Sequence, residues 1–167
     1  MQNRSKLRQD AELDSLEREL FIDAAPETVF EVISDPRHVV EWWPDAATYE
    51  AVPGSTGTVS FGTLEDGGKV ETLTVVEAVR PRTFSFRWTH DAGEAAEVGN
   101  SLLVTFELVP SGAGTLLKLI ETGFREMGWE AAVLEASYRD HATGWDHFLP
   151  RLVSYATSLP SRQGGPR

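Results

Sequence analysis

Near the end of the chain, Tyr138, His141, Trp145, Phe148, Leu152 and Tyr155 recur every three or four residues. That spacing lines one face of an α-helix. Nearly everything from Thr48 to Thr122 reads instead as short strands. One long amphipathic helix after a meander of strands predicts an α+β chain. In it a curved antiparallel sheet of about seven strands grips the C-terminal helix, with two short helices after the first strand. Two large apolar surfaces that meet across a curve leave space between them, and such space is where ligands sit.

The chain has 167 residues, enough for one domain with a sizeable core. Residues 16–158 are expected to form it, between a flexible N-terminal arm (1–15) and a flexible tail (159–167) that lacks core-forming residues. A formal net charge of −11 repels phosphate backbones and argues against nucleic-acid binding. No apolar run approaches the roughly 20 residues that span a bilayer. The N-terminus lacks the apolar core of a signal peptide. With no cysteine in the sequence, disulfides and thiol chemistry are excluded, and a cytoplasmic location is expected.

The first strand is expected over Leu16–Ile22. Pro26 suits the first position of a helix, where its missing N–H costs nothing, and Glu27 favours the positive helix end. Val29, Phe30, Val32 and Ile33 form the buried stripe of that helix. Asp35 and Pro36 repeat the start signal for a second short helix, expected to carry Val39, Val40, Trp42 and Trp43 until Pro44 stops it. Strands are then expected at 48–52, 56–64, 69–79, 83–89, 101–109 and 115–122. A hairpin turn falls at Glu65-Asp66-Gly67-Gly68. The long helix is expected to start near Trp129 or Glu130 and to bend or restart at Gly144 or Pro150, because Pro150 cannot donate to the carbonyl of Asp146.

This order of elements resembles the helix-grip, START-like (birch-pollen-allergen-like) superfamily, also called SRPBCC. Within it the chain is similar to the family named for the activator of heat-shock protein 90 ATPase. The residues that carry the resemblance are Ala25-Pro26-Glu27-Thr28-Val29-Phe30, Asp35-Pro36, Glu41-Trp42-Trp43-Pro44 and Pro81 with Phe84, Phe86 and Trp88. Thr115-Leu116-Leu117-Lys118-Leu119 with Glu121, Gly123 and Phe124 continues it, and Gly144-Trp145 with Phe148, Leu149 and Leu152 completes it. The resemblance spans about residues 16–158 and implies the fold. The superfamily hosts binding proteins, cyclases and co-chaperones, so function must be argued from the site. The eukaryotic co-chaperone carries a separate N-terminal domain that engages the chaperone. This sequence holds no such domain, so direct chaperone activation is not expected.

The candidate ligand-cavity residues are the aromatics Trp43, Phe61, Phe84, Phe86, Trp88, Trp145 and Phe148, with Glu121, Trp129 and His141. The aromatics serve equally as core packing. Glu121 shares strand parity with Leu117 and Leu119 and should point inward. Against an apolar wall its pKa would rise by desolvation, and Glu121→Gln would stabilise the unliganded protein. If it is paired instead, most simply with Arg125, the same change destabilises. Glu71 shares parity with Leu73 and Val75, while Val70 and Val76 support the opposite parity. Trp129 either caps the cavity mouth or anchors the helix start.

His38, His90, His141 and His147 include no pair at metal-ligand spacing, so neither a metal nor another cofactor is expected. His141 falls one turn before Trp145, at the cavity or on its rim. Three functions follow. The first is binding of a small apolar or amphipathic molecule between sheet and helix. The second is a cyclase- or hydrolase-type enzyme with Glu121 or His141 as acid or base. The third is a protein-interaction module with a filled core. A convergent acid–histidine pair at a wet cavity favours the enzyme, a dry cavity favours binding, and a closed core favours the interaction module. A homodimer is left open.

Overall fold

The computed structural model describes residues 14–160 apart from Leu64 and Asp66. The expected arm and tail therefore lie largely outside the described residues, as do Leu64 of the expected 56–64 strand and Asp66 of the hairpin turn. The elements run β1 (Ser15–Ile22), α1 (Pro26–Ser34), α2 (Pro36–Val39), β2 (Ala46–Ala47), β3 (Thr56–Phe61) and β4 (Lys69–Val79). After these come β5 (Thr83–His90), β6 (Leu102–Ser111), β7 (Gly114–Thr122) and α3 (Ala131–Ser158). All strands join one seven-stranded sheet in the order β1-β7-β6-β5-β4-β3-β2, antiparallel throughout. The α+β helix-grip architecture expected from the sequence is the one observed. Among the described residues no helix is long and apolar enough to cross a membrane.

The local signals act as their chemistry dictates. Pro26 opens α1, which buries Val29, Phe30, Val32 and Ile33. Asp35 caps α2, its carboxylate accepting the Arg37 amide at 2.9 Å. The helix then ends at Val39, earlier than expected, and Trp42 and Trp43 sit on the turn that follows. Pro44 disfavours helical backbone at the residue before it. Trp42 is anchored by its indole N–H, which donates to the Val32 carbonyl at 2.9 Å.

The expected strand at 48–52 reduces to the two residues of β2, just upstream. Thr48 still bonds Thr58, but Tyr49 then crosses so close to β3 that a Cβ on Gly57 would lie 2.8 Å from Tyr49 backbone atoms. Gly57 permits the crossing by having no side chain. Tyr49 turns inward, buried, and its hydroxyl donates to the Ser34 carbonyl at 2.8 Å.

Helix α3 lies across the concave face of the sheet and buries Leu134, Trp145, Leu149, Leu152 and Ala156. Pro150 lies inside it and neither ends nor restarts it. Pro150 and Asp146, whose carbonyl loses its intrahelical donor, are both exposed, so water can serve that carbonyl.

Candidate functional site

The inward stripe of β5, Phe84, Phe86 and Trp88, runs from a filled core to a cavity. Phe84 packs edge-on against Phe30 at 6.3 Å between ring centroids and stacks on Tyr49 at 6.5 Å. Phe86 lies beneath Trp43 at 5.6 Å and Trp88 at 6.1 Å. Beyond Trp88 the packing opens into a cavity of about 360 Å³. Its apolar walls are Trp43, Phe61, Trp88, Trp145 and Phe148, and its polar groups are Lys69, Glu71, Thr89, Asp140, His141, Thr143 and His147. Gly144 completes the wall on α3, and a Cβ added there meets nothing within 4 Å.

Beneath the wall sits Glu121, with 0% exposure. Strand alternation places it on the same face as the buried Leu117 and Leu119. Its carboxylate accepts the indole N–H of Trp88 at 2.8 Å and that of Trp145 at 2.9 Å, one on each oxygen. His141 Nδ1 lies 3.0 Å from both oxygens. A buried carboxylate is tolerated when its lone pairs are met by donors, and three side chains from two elements, β5 and α3, supply them here. Arg125 is not its partner and pairs instead with Asp14 at 3.7 Å.

Glu121 in turn fixes His141. With Nδ1 donating to the carboxylate, the ring keeps one tautomer and orientation. Burial works to lower the His141 pKa, but the hydrogen bond and charge of Glu121, with smaller help from Asp140 and Glu71, outweigh it and hold the pKa above its ordinary value. The ring is wedged between Trp88 at 5.3 Å and Phe124 at 5.7 Å. Among the described residues nothing hydrogen-bonds its Nε2, and the side chain keeps 14% exposure. The result is an acid–histidine pair with the acid sealed and the imidazole at the cavity.

Glu71 is half-buried on the cavity side of β4, and desolvation raises its pKa against the opposing charges of Lys69 and His141. Val70 and Val76 face out, exposed. A bulge at 75–77 adds Val76 to β4, and Val70 is an exposed outer-face valine, so neither opposes the inward parity of Leu73 and Val75.

Of the residues singled out from sequence, Trp43, Phe61, Trp88, His141, Trp145 and Phe148 share the cavity wall. Phe84 and Phe86 are core, Glu121 lies behind the wall, and Trp129 is partly buried against the core away from the cavity. Sequence reasoning missed Lys69, Thr89, Asp140, Thr143 and His147 at the cavity. Thr89 is the extra residue of a second bulge, since Leu73 pairs with Trp88 and Thr72 with His90. The bulge turns His90 to the outer face, where Nε2 meets Thr74 Oγ1 at 3.1 Å, and gives the cavity position to Thr89. No sequence rule places a β-branched residue there. Among the described residues no group of three or more His, Cys, Asp or Glu could hold a metal ion.

A curved antiparallel sheet holding one long helix, with a cavity between them, defines the helix-grip class of the START-like (SRPBCC) superfamily. The family model described as "Activator of Hsp90 ATPase homolog 1-like protein" matches residues 23–157, and the chain belongs to that family. Among solved structures, it is similar to protein MLL2253 of Mesorhizobium loti, with 20% identity, a TM-score of 0.67, and coverage of 87% of this chain and 98% of that one. The Aha1 dimer of Colwellia psychrerythraea gives 19% identity, a TM-score of 0.66, and coverage of 86% and 96%. CalU16 of Micromonospora echinospora gives 19% identity, a TM-score of 0.61, and coverage of 86% and 76%. At these identities the likeness is one of fold. No curated protein matches the chain.

Proposed function

We propose that the chain binds one small amphipathic molecule between sheet and helix, with its apolar body against the indoles and a polar group at His141. The observation that carries this reading is the cavity itself. Its volume of about 360 Å³, its five aromatic walls and the polar groups beside them suit a small ligand with an apolar body and a polar end. The same cavity weighs against an interaction module with a filled core. Titration with fatty acids, sterols and aromatic polyketides should quench indole emission saturably for at least one compound. Gly144→Leu, which projects a side chain into open space, should abolish that response while leaving the fold intact. Silence across the panel from a folded sample overturns the reading.

The Glu121–His141 pair favours a second reading, general acid–base catalysis of the cyclase or hydrolase type. Here His141 exchanges the proton and Glu121, which is sealed from the cavity, orients it. A bound compound that is turned over by the parent and not by His141→Gln supports this. Binding without turnover in both leaves the first reading alone. Self-association like that of the Colwellia dimer is proposed on that likeness only and is checked by sedimentation.

A further inference from the structure

Thr89 combines three features that coincide nowhere else among the described residues. Its φ of +71° is, among the described residues, the only positive value outside glycine, in a region that β-branched side chains scarcely enter. Its Oγ1 is, among the described residues, the only buried side-chain oxygen or nitrogen without a hydrogen-bond partner, a state that folded proteins ordinarily avoid. And it lies on the cavity wall, next in sequence to Trp88, whose indole bonds Glu121 and whose ring packs on that of His141.

Neither of the first two features helps the fold. A glycine would make the bulge without strain, and a valine would fill the same space without an unpaired hydroxyl. Strain and an orphaned polar group in one residue are the marks of a position held for another purpose.

We infer that Thr89 is a ligand-recognition residue: its hydroxyl swings by one χ1 step from its sealed position toward the cavity and hydrogen-bonds an oxygen on the bound molecule. The inference rests on the binding reading above and narrows it. The ligand class becomes a planar apolar molecule carrying a hydroxyl or carbonyl oxygen, which Thr89 and the free His141 Nε2 approach from the same stretch of wall. A threonine hydroxyl donates one hydrogen bond and accepts others, so it suits either oxygen type. A wholly hydrocarbon ligand gives it no partner.

The experiment compares naphthol with methylnaphthalene, which are alike in ring and size, by calorimetry on the parent and on Thr89→Val. Loss of one neutral hydrogen bond corresponds to about a fivefold change in affinity. Thr89→Val should weaken naphthol by about that factor, leave methylnaphthalene unchanged, and melt no lower than the parent. Thr89→Ser, which keeps the hydroxyl, should restore the preference for naphthol. Equal loss for both probes, or no loss for either, overturns the inference while leaving the cavity reading in place. A lower melting temperature for Thr89→Val also overturns it, because the hydroxyl would then be bonded in the unliganded protein. If the parent binds neither these probes nor the broader panel, the cavity reading fails and this inference fails with it.

Discussion

The two ends of the space under α3 are built from the same kinds of residue and finished differently. At the closed end, α1 plugs the gap, and four buried polar groups lean on backbone. Trp42 donates to the Val32 carbonyl, Tyr49 to that of Ser34, Ser34 to that of Phe30 and Thr115 to that of Ala24. At the open end no described residue plugs the gap, and Trp88, Trp145 and His141 converge on one side-chain carboxylate. Backbone acceptors are supplied by the fold and do not titrate. A carboxylate serving three donors makes its half of the core depend on a single residue. The closed end should therefore respond to substitution as ordinary packing, and the open end as a network.

The largest test of that contrast is Trp145→Ala. It removes a buried indole that stacks on Trp43 at 5.3 Å and also a donor to Glu121, and should cost about 3–5 kcal/mol in urea melts. A loss below about 1 kcal/mol would mean that the indole is not the keystone of this half. Leu152→Ala at the closed end should cost about 2–5 kcal/mol by cavity formation alone, and should leave the indole response to any cavity ligand untouched. A change in that response would break the separation of the two ends.

Glu121→Gln keeps shape but sets an amide NH2 against donors, so one charge-assisted bond becomes a clash of donors. A loss of about 1.5–3 kcal/mol is expected at neutral pH. This reverses the sequence-based expectation for an unpaired carboxylate, because Glu121 has three partners. Stabilisation by Gln in thermal melts would show that the carboxylate costs more than its bonds return.

The pH dependence is subtler. His141 has a raised folded-state pKa, so its contribution is fully present below its unfolded value of about 6.5 and is lost as pH rises through the folded value. Measured across that window, the parent should lose stability relative to His141→Gln as pH increases. Parallel curves would remove the titrating network from the account. Phe148→Ala, on a half-buried wall residue, should cost only about 1 kcal/mol yet weaken ligand binding. Equal binding would move the site off that wall.

How much of this the sequence disclosed follows the same divide. The closed end and the sheet were legible because they obey local rules. Pro26 and Asp35-Pro36 punctuate the helices, and the three-to-four spacing from Tyr138 to Tyr155 picks out the gripping face. Alternation from Leu117 to Glu121 points the carboxylate inward. What that carboxylate meets was not legible, since Trp88, His141 and Trp145 arrive from β5 and from two turns of α3, far apart in the chain. Arg125, the nearest cation in sequence, was the natural guess and went to Asp14. The bulge at Thr89 could not be read either. A β-branched residue in left-handed backbone opposes local preference, and only the register of two neighbouring strands reveals it. Tyr49 broke its expected strand for a related reason, because the crossing over Gly57 is set by tertiary packing.

The strand order has a consequence for how the chain acquires its shape. Each strand from β3 to β7 pairs with its predecessor, so β2 to β7 can zip together as they are made. β1 has no such neighbour: Ser15 lies opposite Thr122 and Ile22 opposite Thr115. Closing so long a loop is entropically slow. During synthesis the first strand must wait for the last, and until it docks, the far edge of β7, the strand that bears Glu121, stands unpaired. The slow phase of refolding should therefore report the arrival of β1, and the half-made sheet with that open edge is the species most prone to join another copy of itself.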